Sequence, residues 1–240
     1  MNRKFTNLVR WGMDELLPPR LRDNYWFMLP FFLYWFKGRN LRLYMEFKDL
    51  ALAMSEAELR RVYRELDCRA KDRDTDLSSA SLQYIFDHLH PEGRSIADVG
   101  CGQGYFLDRV SQRCGAALAK YGIDVIDLPR HGEGFTYLNA ESTALPLADR
   151  AVDIVTCFHT LEHLRDPIAA LAEIKRIAAK QVIIMVPRQR YYHYTLDLHL
   201  HFFPTAASLS SLVGLADFSC VEVAGDWVYI GYPGRKPARL

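Results

Sequence analysis

The 240-residue chain has only five cysteines, Cys68, Cys101, Cys114, Cys157 and Cys220, scattered and without C-x-x-C spacing. That set excludes a disulfide framework and a cysteine zinc site, and it suits a reducing cytoplasm. An excess of one charge is missing too. The formal net charge of +1 gives no overall bias towards nucleic acid, which is not a favoured partner. No apolar run reaches the ~20 residues a bilayer-spanning helix needs. The start, Met1 to Val9, lacks the long apolar segment and small-residue cleavage site of a secretory signal. Internal repeats and low-complexity tracts are absent. What remains, 50% hydrophobic and 25% charged residues, is the composition of a chain that packs a core.

The dinucleotide spacing G-x-G-x-x-G is also lacking. In its place stands Ser95-Ile-Ala-Asp-Val-Gly-Cys-Gly-Gln-Gly-Tyr-Phe-Leu-Asp-Arg109, an apolar run ending in glycines at alternate positions, Gly100, Gly102 and Gly104. This predicts a strand, a tight turn and a helix start, with Asp98 near the strand's carboxyl end, where open α/β sheets bind ligands. Beyond Arg94, apolar runs near 95–100, 121–125, 135–139, 152–158 and 181–186 alternate with amphipathic stretches at 103–114, 167–179 and 205–214. The pattern predicts a doubly wound α/β sheet. The final FSCVEVAGDWVYIGYP divides at Ala224-Gly225-Asp226 and predicts a closing β-hairpin.

The glycine stretch resembles the D-x-G-x-G-x-G signature of class I S-adenosylmethionine-dependent methyltransferases, and the likeness extends from about Arg94 to Gly231. It implies a Rossmann-like seven-stranded sheet of order 3-2-1-4-5-7-6 with strand 7 antiparallel, and S-adenosylmethionine as cofactor. The glycine loop would lie beside the methionine moiety. Tyr121-Gly-Ile-Asp124 matches the family's G-I-D pattern, so Asp124 would receive the ribose hydroxyls, with Asp127 as alternative. Leu138-Asn-Ala-Glu141 takes the place of the family's D-A-E segment, putting Asn139 and Ala140 at the adenine with Glu141 as a competitor, although Asn replaces the usual Asp. Cys101, Val125 and Phe158 adjoin these positions and are assigned to the cofactor with them.

Cys157-Phe-His-Thr-Leu-Glu-His163 resembles the family's V-L-E-H segment, which implies that His159 stands closest to the sulfonium. Asp166-Pro167 reads as an N-cap and first helical residue. Glu162-His163 partly resembles the E-x-x-E-H metal motif of small-RNA 2′-O-methyltransferases, with His159 in place of the first Glu and His199 or His201 available as a last ligand. A metal site needs three or four convergent ligands, and none is expected on this partial match. Arg188 to Gly214 resembles the substrate-side segment of methyltransferases acting on quinones, sugars and other small molecules. His199 or His201 could deprotonate an acceptor hydroxyl there, unless Leu198, Leu200 and Phe202 pack and leave the histidines wet. O-methylation of a small-molecule, glycan or lipid-linked acceptor is the expected reaction. A nicotinamide-dependent oxidoreductase and a non-catalytic binding protein of the same fold are the alternatives.

Residues 1–90 differ in texture and are read as a helical, aromatic-rich extension preceding the cofactor domain at 91–240. Ser55 and Glu58 form a capping-box pattern, and Ser79 to His90 repeats at helical spacing. Tyr25 to Phe36 reads YWFMLPFFLYWF, flanked by Arg20, Arg22, Lys37, Arg39 and Arg42 against Asp23 alone. This segment packs on the catalytic domain, forms a homodimer contact or rests on a membrane surface. The expected location is the cytoplasm, with peripheral contact at the inner membrane through residues 20–42.

Overall fold

The computed structural model describes residues 12–66, 75–115, 118–126 and 134–235. Cys68 and Asp127 lie outside them. Seven strands form one sheet in the order β3-β2-β1-β4-β5-β7-β6: β1 (Ser95–Val99), β2 (Ala119–Asp124), β3 (Thr136–Asn139), β4 (Val152–Phe158), β5 (Ala178–Pro187), β6 (Phe218–Val223) and β7 (Asp226–Gly231). The first five are parallel, whereas β7 runs antiparallel between β5 and β6. A terminal antiparallel hairpin of this kind is the expected methyltransferase order, and a plain dinucleotide fold ends differently.

Period-two alternation divides the core between the two faces of the sheet. Val155 and Cys157 of β4 join one cluster with Leu171 and Ile174, while Ile154 and Phe158 join the other with Phe106 and Leu107. The parallel strands are buried on both sides and read as continuous apolar runs.

The helices are α1 (Pro19–Arg22), α2 (Tyr25–Phe36), α3 (Leu41–Met45), α4 (Phe47–Ala53), α5 (Glu56–Leu66), α6 (Ser79–Asp87), α7 (Tyr105–Cys114), α8 (Pro167–Ile177) and α9 (Ala206–Val213). Asp166 caps α8 by accepting the Ala169 amide at 2.9 Å, and Ser55 and Glu58 cap α5 reciprocally. α8 stops two residues before its expected end because Ala178 already pairs with Val152 in the sheet. α6 also ends early, with the His88 amide on the Ile85 carbonyl.

The amino-terminal helices dock through two small apolar clusters. One joins Phe47, Ala51 and Leu59 to Leu198, and the other centres on Met28, Phe32 and Met45 with Tyr194 and Leu196 packed against it. Lys48 Nζ fastens this junction, donating to the His193 carbonyl at 2.6 Å and the Thr195 hydroxyl at 2.8 Å. Twelve-residue α2 spans about 18 Å at 1.5 Å per residue. No helix among the described residues is long and apolar enough to cross a membrane.

Candidate functional site

The site is built at the carboxyl ends of β1, β2, β3 and β4. After Val99 the chain turns away at Gly100, whose φ of +75° favours glycine. The amides of Gly100 and Cys101 both donate to the Ile123 carbonyl, at 2.8 and 3.1 Å. The Gly102 amide donates to Asp124 Oδ2 at 2.9 Å, and Oδ1 of the same carboxylate accepts the Ile126 amide at 3.0 Å. The first turn is thereby clamped by the tip of β2.

The glycines have different reasons to be glycine. A Cβ on Gly100 would stand 2.1 Å from Thr160 Oγ1, so the loop after β4 lies directly against this turn. A Cβ on Gly102, at φ +51°, would meet nothing within 4 Å, leaving open space on that side of the turn.

Asp98 is buried and accepts the Thr156 hydroxyl at 2.7 Å. Burial pushes its carboxyl up to about 7 against the pull of Thr156, with Asp124 adding to the rise. Burial also raises Asp124, opposed by the amides of Ile126, Gly102 and Val125. Two neighbouring carboxyls held above their ordinary range are what a cationic ligand would relieve. S-adenosylmethionine carries a sulfonium and an ammonium, so the donor set and the open side of Gly102 fit that cofactor.

At the end of β3, Asn139 and Glu141 are exposed. The Ala140 amide donates to the Asp124 carbonyl at 3.1 Å. Arg60 of α5 pairs with Glu141 at 2.9 Å. Cys101 is buried with its thiol on the Gly102 carbonyl, and Phe158 lies edge-on to Phe106. Val125 follows β2 directly.

His159 leaves β4 in the left-handed region, φ +48°, with its amide on the Met185 carbonyl at 2.9 Å. Its Nδ1 lies 3.4 Å from Glu162 Oε1 and its Nε2 3.8 Å from Asp226 Oδ2. Burial disfavours the imidazolium, yet Asp226 and Glu162 outweigh it and the pKa is raised. Burial would likewise raise Glu162, but the surrounding His159, His163 and His199 hold it down at about 2.

His199 is buried, not on a wet face, and its Nδ1 faces Gln189 Oε1 at 2.8 Å. His201 is half-buried, with its backbone amide on the Glu162 carbonyl. The structure thus gathers His159 and His199 around Glu162. Asp226, Gln189, Thr156 and Thr160 were not anticipated from the sequence. Asp226 reads as a turn former, and no local pattern marks the other three.

Residues 97–186 match the family described as "Methyltransferase domain". The match and the strand order both liken this region to the class I S-adenosylmethionine-dependent methyltransferases. Among curated relatives, the ubiquinone biosynthesis O-methyltransferase of Paraburkholderia xenovorans (strain LB400) is 32% identical over 112 residues, 44% of this chain and 48% of that one. An uncharacterized methyltransferase of Mycobacterium sp. (strain JLS) is 29% identical over 140 residues, 54% and 48% of the two chains. The chain spans about half the length of these relatives. Two solved structures share the fold. The Haloferax volcanii complex of the Trm112 methyltransferase activator with a putative methyltransferase matches at TM-score 0.55 and 17% identity, covering 76% of this chain and 99% of that one. A SAM dependent methyltransferase from Aquifex aeolicus matches at 0.52 and 19%, covering 75% and 99%.

Proposed function

We propose that this protein transfers a methyl group from S-adenosylmethionine to an oxygen of a small-molecule, glycan or lipid-linked acceptor. The observation that carries the reading is the Asp124 carboxylate at the tip of β2, bonded to the Gly102 amide beside the open side of the turn. Relatives named as O-methyltransferases support oxygen as the acceptor atom.

When bound, the cofactor supplies an electrophilic methyl on a positively charged sulfur. The chain's own task is alignment and proton removal. Asp124 takes the ribose hydroxyls, Asp98 and the Gly100–Gly104 turn hold the amino acid end, and Asn139 with Glu141 borders the adenine. His159, oriented by Glu162, is the proton acceptor. His199 and His201 lie on the segment that walls the acceptor, Arg188 to Phe203.

The helices within residues 12–66 act as a lid over this site. Tyr63 of α5 donates to the carbonyls of both His163 and Leu198, at 3.0 and 3.1 Å, so the helix bridges the loop after β4 and the acceptor segment. α2 leaves Trp26, Phe31, Leu33 and Tyr34 exposed between basic flanks, which supports peripheral contact with the cytoplasmic face of a membrane and a lipid-linked acceptor.

The test is calorimetry with S-adenosylhomocysteine, followed by transfer of labelled methyl to phenolic, sugar and lipid-linked hydroxyls. Absence of cofactor binding defeats the whole reading. A methyl recovered on nitrogen or carbon defeats the choice of oxygen.

A further inference from the structure

We propose that Glu162, His163 and His199 form a binding site for one divalent transition-metal ion. One carboxylate oxygen and one ring nitrogen from each histidine lie within 4.8 Å of one another. The sequence brought these residues to notice only as an incomplete motif, and the fold supplies the convergence. The Glu162 carbonyl accepts the amides of Leu200 at 2.7 Å and His201 at 3.1 Å. The turn carrying Glu162 and His163 and the segment carrying His199 are therefore fixed to each other.

The hydrogen bonds around the two imidazoles prepare them as ligands. His163 Nδ1 faces the Leu198 carbonyl at 3.0 Å, and a carbonyl only accepts. His199 Nδ1 faces Gln189 Oε1 at 2.8 Å, and the Gln189 amide nitrogen donates to the Tyr192 hydroxyl. Both contacts place the proton on Nδ1 and the lone pair on Nε2. A carbonyl or amide behind a metal-bound histidine does the same.

Independent of that geometry, Glu162 is 1% exposed, and neither of its carboxylate oxygens has a hydrogen-bond partner. Buried polar atoms are nearly always satisfied. His159 Nδ1 stands 3.4 Å from one oxygen. The His163 and His199 rings stand 4.8 Å apart, centroid to centroid. A single divalent ion held between them would offset the charge of the buried carboxylate. Two imidazole nitrogens and one carboxylate oxygen favour Zn²⁺ and its first-row neighbours over Mg²⁺ or Ca²⁺. Three protein ligands leave coordination open to water or to another oxygen ligand. The site does not depend on the methyl-transfer reading, because the test below needs no turnover.

Tag-free, chelator-treated full-length protein is titrated with Zn²⁺ alone by calorimetry and with Co²⁺ by visible absorption. The expected result is one ion per chain and a melting temperature raised by Zn²⁺. Glu162→Gln and His199→Gln should lose both effects, and Gln189→Ala should weaken binding by about 10–100-fold through its supporting contact. Where a buried variant fails to fold, the half-buried His163→Gln is read in its place. Wild-type protein that takes up no stoichiometric ion overturns the proposal, as does undiminished binding by folded Glu162→Gln or His163→Gln.

Discussion

Asp124 accepts the amide of Gly102 at 2.9 Å, so the acid that ends β2 and the turn that follows β1 form one unit. A charged hydrogen bond contributes about 1.5–3 kcal/mol. Asp124→Ala should therefore weaken S-adenosylhomocysteine binding by about tenfold to somewhat over a hundredfold in calorimetry. Asp124→Asn, which keeps one acceptor oxygen, should fall between the two. Unchanged affinity in a folded Asp124→Ala would remove the ribose assignment.

Gly100 and Gly102 should separate stability from binding. Alanine at Gly100 collides with Thr160 and adopts a left-handed backbone. The backbone costs about 1–2 kcal/mol and overpacking about 1–3 kcal/mol more, visible in chemical denaturation. Alanine at Gly102 carries only the backbone cost, yet its methyl enters the open space where the cofactor is proposed to lie. A Gly102→Ala protein that is mildly destabilised but binds S-adenosylhomocysteine normally would show that the ligand lies elsewhere.

Lys48 predicts a pH dependence of stability. Burial lowers its pKa to about 7, with Asp197, Asp23 and Asp49 opposing, whereas the unfolded chain titrates near 10.4. Between these values the unfolded state binds more protons, so the Lys48 contribution to stability rises with pH from about 7 to about 10. Below pH 7 the cost of the buried ammonium is fully present. Each kcal/mol appears as about 2–4 °C in melting temperature for a chain of this size. Lys48→Met should flatten the rise, and identical slopes for the two proteins would contradict the assignment.

Membrane contact is read from the aromatic face of α2. Full-length protein should float with anionic liposomes, and Trp26→Ser/Tyr34→Ser should reduce that partition while leaving the melting temperature nearly unchanged, since both side chains are exposed. High salt should weaken flotation through the basic flanks. Equal flotation of both proteins, or none by either, would exclude α2 as a membrane anchor.

Much of the sheet was legible because strand ends coincide with chemical punctuation. Gly100 turns the chain after β1, Asp166-Pro167 opens α8, and Gly225 marks the hairpin. β4 matches its expected limits residue for residue. The site was only partly legible, since its local pieces carry patterns and its distant ones do not. The approach of Asp226 to His159 and of Arg60 to Glu141 spans 67 and 81 positions respectively. The burial of His199 was hidden for a related reason. In Leu198-His-Leu-His201 alternation could have placed either residue type inward, and the Gln189 contact decides it.

The Lys48 clasp also bears on how the protein is made. Its acceptor Thr195 lies 147 positions further along the chain. At about 5–20 residues per second, translation reaches it roughly 7–30 s after Lys48 has been added. The helices around Lys48 are thus made well before the segment that fastens them. Throughout that interval the apolar surface of α2 is available to nascent-chain chaperones, and a ribosome stalled before Thr195 would hold an amino-terminal region with nothing to clasp.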